Sequence, residues 1–279
     1  MTSDKYSSAR MWMLTKHYFV ENRRNIAITC GVIFGILLLI SILITKSSYT
    51  PYDVAILSNH EERNAFVLTF FTMSSWLIMQ ILGSLTFSSM STKSKRISNL
   101  MLPASQSEKF ISQCLIYVVG GNLFLIASLL LADTVSALIF GMIPAWIQIT
   151  VLMDFTGFIS ICPYGYQALV MLCLGFLVVY LWAQAIYVLG SAWWPRKSYL
   201  KTFVALFVFQ IASTIIIPFG LLFNFFPSIA RIFSDIDISA KQVVALGWCG
   251  IVLAYAALFF IYWLAWQRYK RLAVVKRFL

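Results

Sequence analysis

Charge is scarce in this sequence. Asp, Glu, Lys and Arg make up 11% of 279 residues, against about 25% in soluble domains. Acids are the scarcer sign: ten Asp and Glu stand against 21 Lys and Arg, for a formal net charge of +11. With 61% hydrophobic residues and a mean hydropathy of +0.84, this shortage excludes a water-soluble domain. Histidine is nearly missing as well. His17 and His60 are the only two, and the expected topology puts them on opposite sides of the membrane, so a three-ligand zinc centre is not expected. In His60-Glu61-Glu62-Arg63-Asn64, Asn64 occupies the position where a zinc-protease helix needs its second histidine. The five cysteines (Cys30, Cys114, Cys162, Cys173, Cys249) lie in or beside apolar runs without metal-like spacing, and read as small buried hydrophobes rather than a disulfide framework.

Other signatures are absent too. The chain has no Gly-x-Ser-x-Gly elbow and no G-x-x-x-x-G-K-[ST] phosphate loop. It is therefore not expected to be an enzyme or to bind a cofactor or metal of its own, and any ATP-driven work falls to a partner. The positive charge sits in short clusters beside apolar runs, which suits anionic lipid and topology. No aromatic–basic reading surface accompanies it, so nucleic acid is not an expected partner.

What the sequence has is long apolar runs, near the ~20 residues that cross a ~30 Å hydrocarbon core. They predict an all-α integral membrane protein whose residues 1–279 form a single transmembrane domain. Its six spans cover about 26–44, 65–88, 114–140, 166–194, 202–226 and 243–266. With the N-terminus inside, inner segments carry five basic residues before Ile26, four in the hinge after span two, three between spans four and five, and five in the tail. The first and last outer loops carry two each. The positive-inside rule selects this arrangement, with both termini cytoplasmic in the cell membrane. If 141–165 also spanned, the later loops would invert. That segment, apolar but broken by Gly141, Pro144, Gly157, Pro163 and Gly165, is therefore read as re-entrant or interfacial on the outer side. The first span has no small-x-small cleavage site and reads as a retained signal anchor. Gly31 and Gly35 within it have the spacing of a close helix approach.

Before it, residues 8–24 mix Arg10, Lys16, Arg23 and Arg24 with Met11, Leu14 and Tyr18 on one helical face, flanked by Trp12 and Phe19. A basic amphipathic helix in the cytosolic interface is expected. Four polar residues inside spans are candidate intramembrane sites: Gln80, Asn122, Asp133 and Gln210. Asp133 falls near the outer end of the third run, where water is expected to reach it. The glutamines are expected to make interhelical hydrogen bonds.

The organising segment is the hinge 92–113. Lys93, Lys95 and Arg96 precede Ile97, Leu100 and Met101, whose i, i+3, i+4 spacing predicts a short amphipathic helix that Pro103 ends. Ser105-Gln106-Ser107-Glu108 reads as a capping box opening a second helix that runs into the third span. A short helix, a turn and a helix driven into the bilayer make a lever on which a cytosolic partner can act.

The hinge text Lys95-Arg96-Ile97, Leu100-Met101-Leu102-Pro103-Ala104-Ser105, Glu108-Lys109-Phe110 resembles the K-R-I-x-x-L-x-L-P-A-S-x-x-E-K-F stretch of one bacterial branch of ABC-2-type transporter permeases. Six spans, an amphipathic N-terminal helix and the basic tail Arg268-Tyr269-Lys270-Arg271 are also similar. The resemblance implies a permease, expected to export, whose loop between spans two and three is a coupling helix seated on a separate ATP-binding cassette subunit. Lys95, Arg96, Ile97, Leu100, Met101 and Leu102 are then the docking residues, ATP and Mg belong to the partner subunit, and two permeases pair as a homodimer or heterodimer in the lipid bilayer. One feature departs from the family, whose outer re-entrant element lies between spans five and six; here the bulky outer segment follows span three. The alternative is a membrane-anchored accessory or regulatory subunit that binds a cytosolic partner without transporting.

Overall fold

The computed structural model describes residues 7–47, 56–147, 165–222 and 240–274. Among these the elements are helical throughout: α1 Ser8–Glu21, α2 Arg23–Ser47, α3 Ile56–Leu85, a 3-10 turn Ser88–Met90, α4 Lys93–Met101, α5 Gln106–Cys114, a π-helical segment Leu115–Gly120, α6 Gly121–Ile139, α7 Gly165–Trp193, α8 Ser198–Leu222 and α9 Ala240–Val274. Among the described residues five helical stretches are long and apolar enough to cross a membrane: Ile26–Ser47, Asn64–Met90, Gln106–Ile139, Leu169–Trp193 and Val244–Arg271. This is consistent with a multi-pass membrane protein. The expected span 202–226 corresponds to α8, whose described apolar stretch, Ser198–Thr214, is shorter. α3 begins at Ile56, ahead of residue 65, where the second span is expected to start. Ile56–Asn64 lacks Gly and Pro and can continue the helix. Most of the segment 141–165 lies outside the described residues, as do the side chains of His60, Glu61, Glu62 and Arg63.

Contacts divide the chain into two units, Met1–Thr86 with Ile97–Phe158, and Phe87–Arg96 with Ile159–Leu279. The division falls inside α4, between Arg96 and Ile97.

In the first unit α2 and α6 pack side by side, with α3 against both. Leu37, Leu125, Leu129 and Ala132 form the buried centre, lined by Ile33, Phe34, Leu38, Phe70, Phe71 and Ile78. The hydroxyls of Ser41 and Ser136 meet at 2.9 Å between α2 and α6, so both are satisfied where no water is at hand. Gly31 and Gly35 take no part: beyond the adjoining backbone of α2, no described atom lies within 4 Å of where a Cβ on either would stand. Gly121 does, since a Cβ there would come 2.9 Å from Leu82 Cδ1 on α3. α6 stops in a Schellman-type turn, with Gly141 at φ +65° and the N–H of Met142 donating to the Ala137 carbonyl at 2.9 Å.

In the second unit α7 packs along α9 and against α8. α7 and α8 join through a four-residue turn in which Pro195 follows the helix end and Lys197 takes φ 53°. The two helices approach closely where Gly190 faces Thr202, and Tyr187 stacks on Tyr199 with ring centroids 5.5 Å apart.

Candidate functional site

The hinge folds as a helix–turn–helix. Thr92 caps α4, its hydroxyl accepting from the Lys95 N–H at 3.4 Å. After Met101 the chain turns through Leu102, Pro103 and Ala104, with the Ala104 N–H on the Leu102 carbonyl at 2.8 Å. The capping box then starts α5: the Ser105 hydroxyl accepts from the Glu108 N–H at 3.2 Å, and Glu108 Oε2 accepts from the Ser105 N–H at 2.9 Å.

Glu108 also binds a second helix. Its Oε1 accepts the Ser7 N–H, just ahead of α1, at 2.8 Å and lies 3.4 Å from the Arg10 guanidinium. The carboxylate is fully buried and serves two helix N-termini, where the partial positive charges of both sets of free N–H groups favour it. Farther along α1, the Tyr18 hydroxyl donates to Asn99 Oδ1 on α4 and accepts from Gln113 Nε2 on α5 at 3.3 Å. Burial among these side chains pushes the Tyr18 phenol above its ordinary pKa, with the Gln113 hydrogen bond opposing and the nearby Glu21 charge adding to the rise.

This changes the reading of α1. Met11, Leu14 and Tyr18, the face that spacing assigns to the headgroups, belongs to a helix packed on α5, and Leu14 is buried. The opposite side carries exposed Trp12, Met13, Phe19 and Val20. A stripe of apolar residues has the same spacing whether it meets lipid or protein, so the sequence could not choose between them.

The proposed docking residues separate by side. Lys95 and Ile97 are exposed, and Met101 is 79% exposed. Leu102 is half-buried in the turn, and the Leu100 side chain lies outside the described residues. Arg96 turns inward: its guanidinium donates to the Met90 carbonyl at 2.8 Å, closing the 3-10 turn onto the start of α4. Asn99, on the far face of α4 from Ile97, is 3% exposed.

The start of α4 rests on its own unit. Arg196, from the α7–α8 turn, donates to the Ser91 carbonyl at 2.9 Å. Phe87 packs on Tyr269 of α9 at 5.1 Å between centroids, and Tyr269 is fully buried.

The intramembrane candidates have local roles. Asn122 Nδ2 donates to the Val118 carbonyl at 2.6 Å, satisfying a backbone acceptor in the π-helical segment, where the wider helix disturbs the usual pairing. Asp133 is fully buried, not water-exposed, because the chain folds back after α6; its carboxylate accepts the Trp146 N–H at 3.3 Å. Gln80 is half-buried on α3, and Gln210 is exposed on α8. Among the described residues no three His, Cys, Asp or Glu converge as for a metal ion.

Sequence reasoning found α4, the turn and the capping box, but missed Ser7 and Asn99 and the contacts that Arg10 and Tyr18 make with the hinge. The box signals that Glu108 caps α5, but nothing near it signals a second donor 101 residues away.

No family model, curated protein or solved structure matches this chain.

Proposed function

We propose that this chain is the membrane permease subunit of an ABC-2-type transporter. In this reading six spans, with both termini cytoplasmic in the cell membrane, pair with a second permease and export a substrate at the expense of ATP hydrolysed by a separate subunit. α1 lies along the inner interface, and α4 is the coupling helix. The residues that bear on the partner are Lys95, Ile97, Leu100, Met101 and Leu102, while Arg96 holds the helix in place.

The observation that carries the reading is the two-faced character of α4. Ile97 and Met101, one helical turn apart, are 48% and 79% exposed, whereas Asn99 is buried and bound to Tyr18. An apolar pair left open on a helix whose other face is hydrogen-bonded suits the docking of a second protein. α5 suits the transmission of its movement. The run Gln106–Ile139 is 34 residues long, roughly 50 Å at 1.5 Å per residue, well beyond a ~30 Å hydrocarbon core. Its α5 end, with Glu108, Lys109 and Gln113, can then stand outside the bilayer and carry a push on α4 into the third span.

Purification of the tagged chain in mild detergent tests the reading. An ATP-binding protein is expected with the native chain, and at least a tenfold loss of it with Ile97→Asp/Met101→Asp. If none accompanies the native chain in several mild detergents, the coupling role fails and the accessory-subunit reading takes its place.

A further inference from the structure

We infer that the end of the second unit formed by the α7–α8 turn and the last turns of α9 is a binding surface for the phosphodiester headgroups of anionic phospholipids. The inference does not depend on the permease reading.

The first observation is one-sided charge. No Asp or Glu occurs between Asp154 and Asp235, or after Asp237. The described part of the second unit therefore contains no carboxylate side chain, and its cations must find their counter-ions outside it. Arg196, Lys197 and Lys201 stand at the α7–α8 turn, and Arg268, Lys270 and Arg271 at the end of α9. Arg268 and Arg271 are three apart on one helix, a spacing at which like charges repel.

The tertiary structure brings the two groups to the same end. The Arg268 guanidinium lies 4.6 Å over the Trp193 ring, which ties the end of α9 to the end of α7. Arg196 reaches the Ser91 carbonyl, a few residues from Phe87, which packs on Tyr269. Lys270 lies 4.5 Å over the Trp266 ring. Aromatic faces thus hold two of the cations without neutralising them.

The third observation selects lipid over a soluble polyanion. The stretches of α7 and α9 long and apolar enough to cross a membrane end at Trp193 and Arg271, which puts the cations at the level where hydrocarbon would give way to headgroups. Trp193 and Trp194, 48% and 37% exposed, have the amphipathic rings that favour that level. A basic cluster there is drawn to an anionic membrane surface.

The test is the binding of defined lipids to the detergent-purified full chain, read by native mass spectrometry and by the melting temperature. Phosphatidylglycerol is expected to bind about tenfold more tightly than phosphatidylcholine and to raise the melting temperature more. The variant Lys197→Asn/Lys201→Gln/Arg271→Gln, which spares Arg196 and Arg268, should lose most of that preference. Asn is used at 197 because it tolerates positive φ. The charge-keeping variant Lys197→Arg/Lys201→Arg/Arg271→Lys should retain the preference, which separates lost charge from a damaged fold. Removing charge elsewhere, with Lys16→Gln/Arg23→Gln/Arg24→Gln, should leave most of it in place. Equal binding of the two lipids by the native chain would overturn the inference, as would a preference that survives the neutralising variant. Inorganic polyphosphate matching phosphatidylglycerol in affinity would overturn it in favour of a soluble polyanion.

Discussion

The backbone N–H of Ser7 and the Glu108 carboxylate meet at 2.8 Å across 101 residues of chain. The same carboxylate closes the Ser105 capping box, so one buried side chain sets the positions of α1 and α5 together.

Removing it should loosen both helices. Glu108→Ala deletes a cap contributing about 1 kcal/mol and a charged acceptor contributing about 1.5–3 kcal/mol, so a loss of about 2.5–4 kcal/mol is expected. Glu108→Gln keeps an acceptor oxygen and should cost less. Arg10→Ala should cost under about 1 kcal/mol, because the Arg10 side chain is 48% exposed. Thermal melting in one detergent gives the order; an Arg10 effect as large as that of Glu108 would show that the ion pair, not the capping, joins the helices.

Tyr18 should act through its hydroxyl. Tyr18→Phe keeps the ring and removes the group shared by Asn99 and Gln113, for an expected cost of about 1–3 kcal/mol from the buried amides left behind. The phenol also has a pH signature. Its folded pKa is raised, so its contribution to stability is complete below the ordinary tyrosine range and is lost as pH climbs through the folded value. The melting-temperature gap between the native chain and Tyr18→Phe should hold at neutral pH and shrink in strong alkali. No gap at neutral pH would place the Tyr18 contribution in ring packing.

Gly190 should tolerate no side chain. A Cβ there would lie 2.0 Å from Thr202 Oγ1, 2.8 Å from Cγ2 and 2.9 Å from Cβ, so no rotation of Thr202 clears it. Gly190→Ala should cost about 1–3 kcal/mol by overpacking. Thr202→Ala alone should be nearly neutral, since its buried hydroxyl has no hydrogen-bond partner among the described residues. The double variant should recover part of the loss, with Cβ still crowded. A double-mutant cycle on the melting temperature measures the coupling. Additive effects would mean that α7 and α8 do not approach closely here.

What could be read from the sequence was what a few neighbouring residues decide. The Ser105–Glu108 box closes within four residues, and Pro103 ends α4 through its own ring. The turn after α6 was less legible. Gly141 marked a break, but the burial of Asp133 depends on Trp146 returning to it, and interface position alone suggested water. Arg96 was equally ambiguous, since a guanidinium that reaches a partner and one that reaches the Met90 carbonyl look alike in one dimension.

The sequence by itself determined that this protein is helical and built of membrane-length apolar runs, because hydrocarbon admits long apolar segments and each helix satisfies its own backbone. It also determined the local punctuation of the hinge. Tertiary structure alone decided which face of α1 meets protein, which carboxylate serves two helices, and which cations gather at one end of α7 and α9. Periodicity shows that a face is apolar, and composition that a charge exists. Neither names the partner, because the partner is set by contacts between residues about a hundred positions apart in unit one and roughly as far apart at Arg196 and Ser91 in unit two, where burial and hydrogen bonding reward only the pairs that the fold brings together.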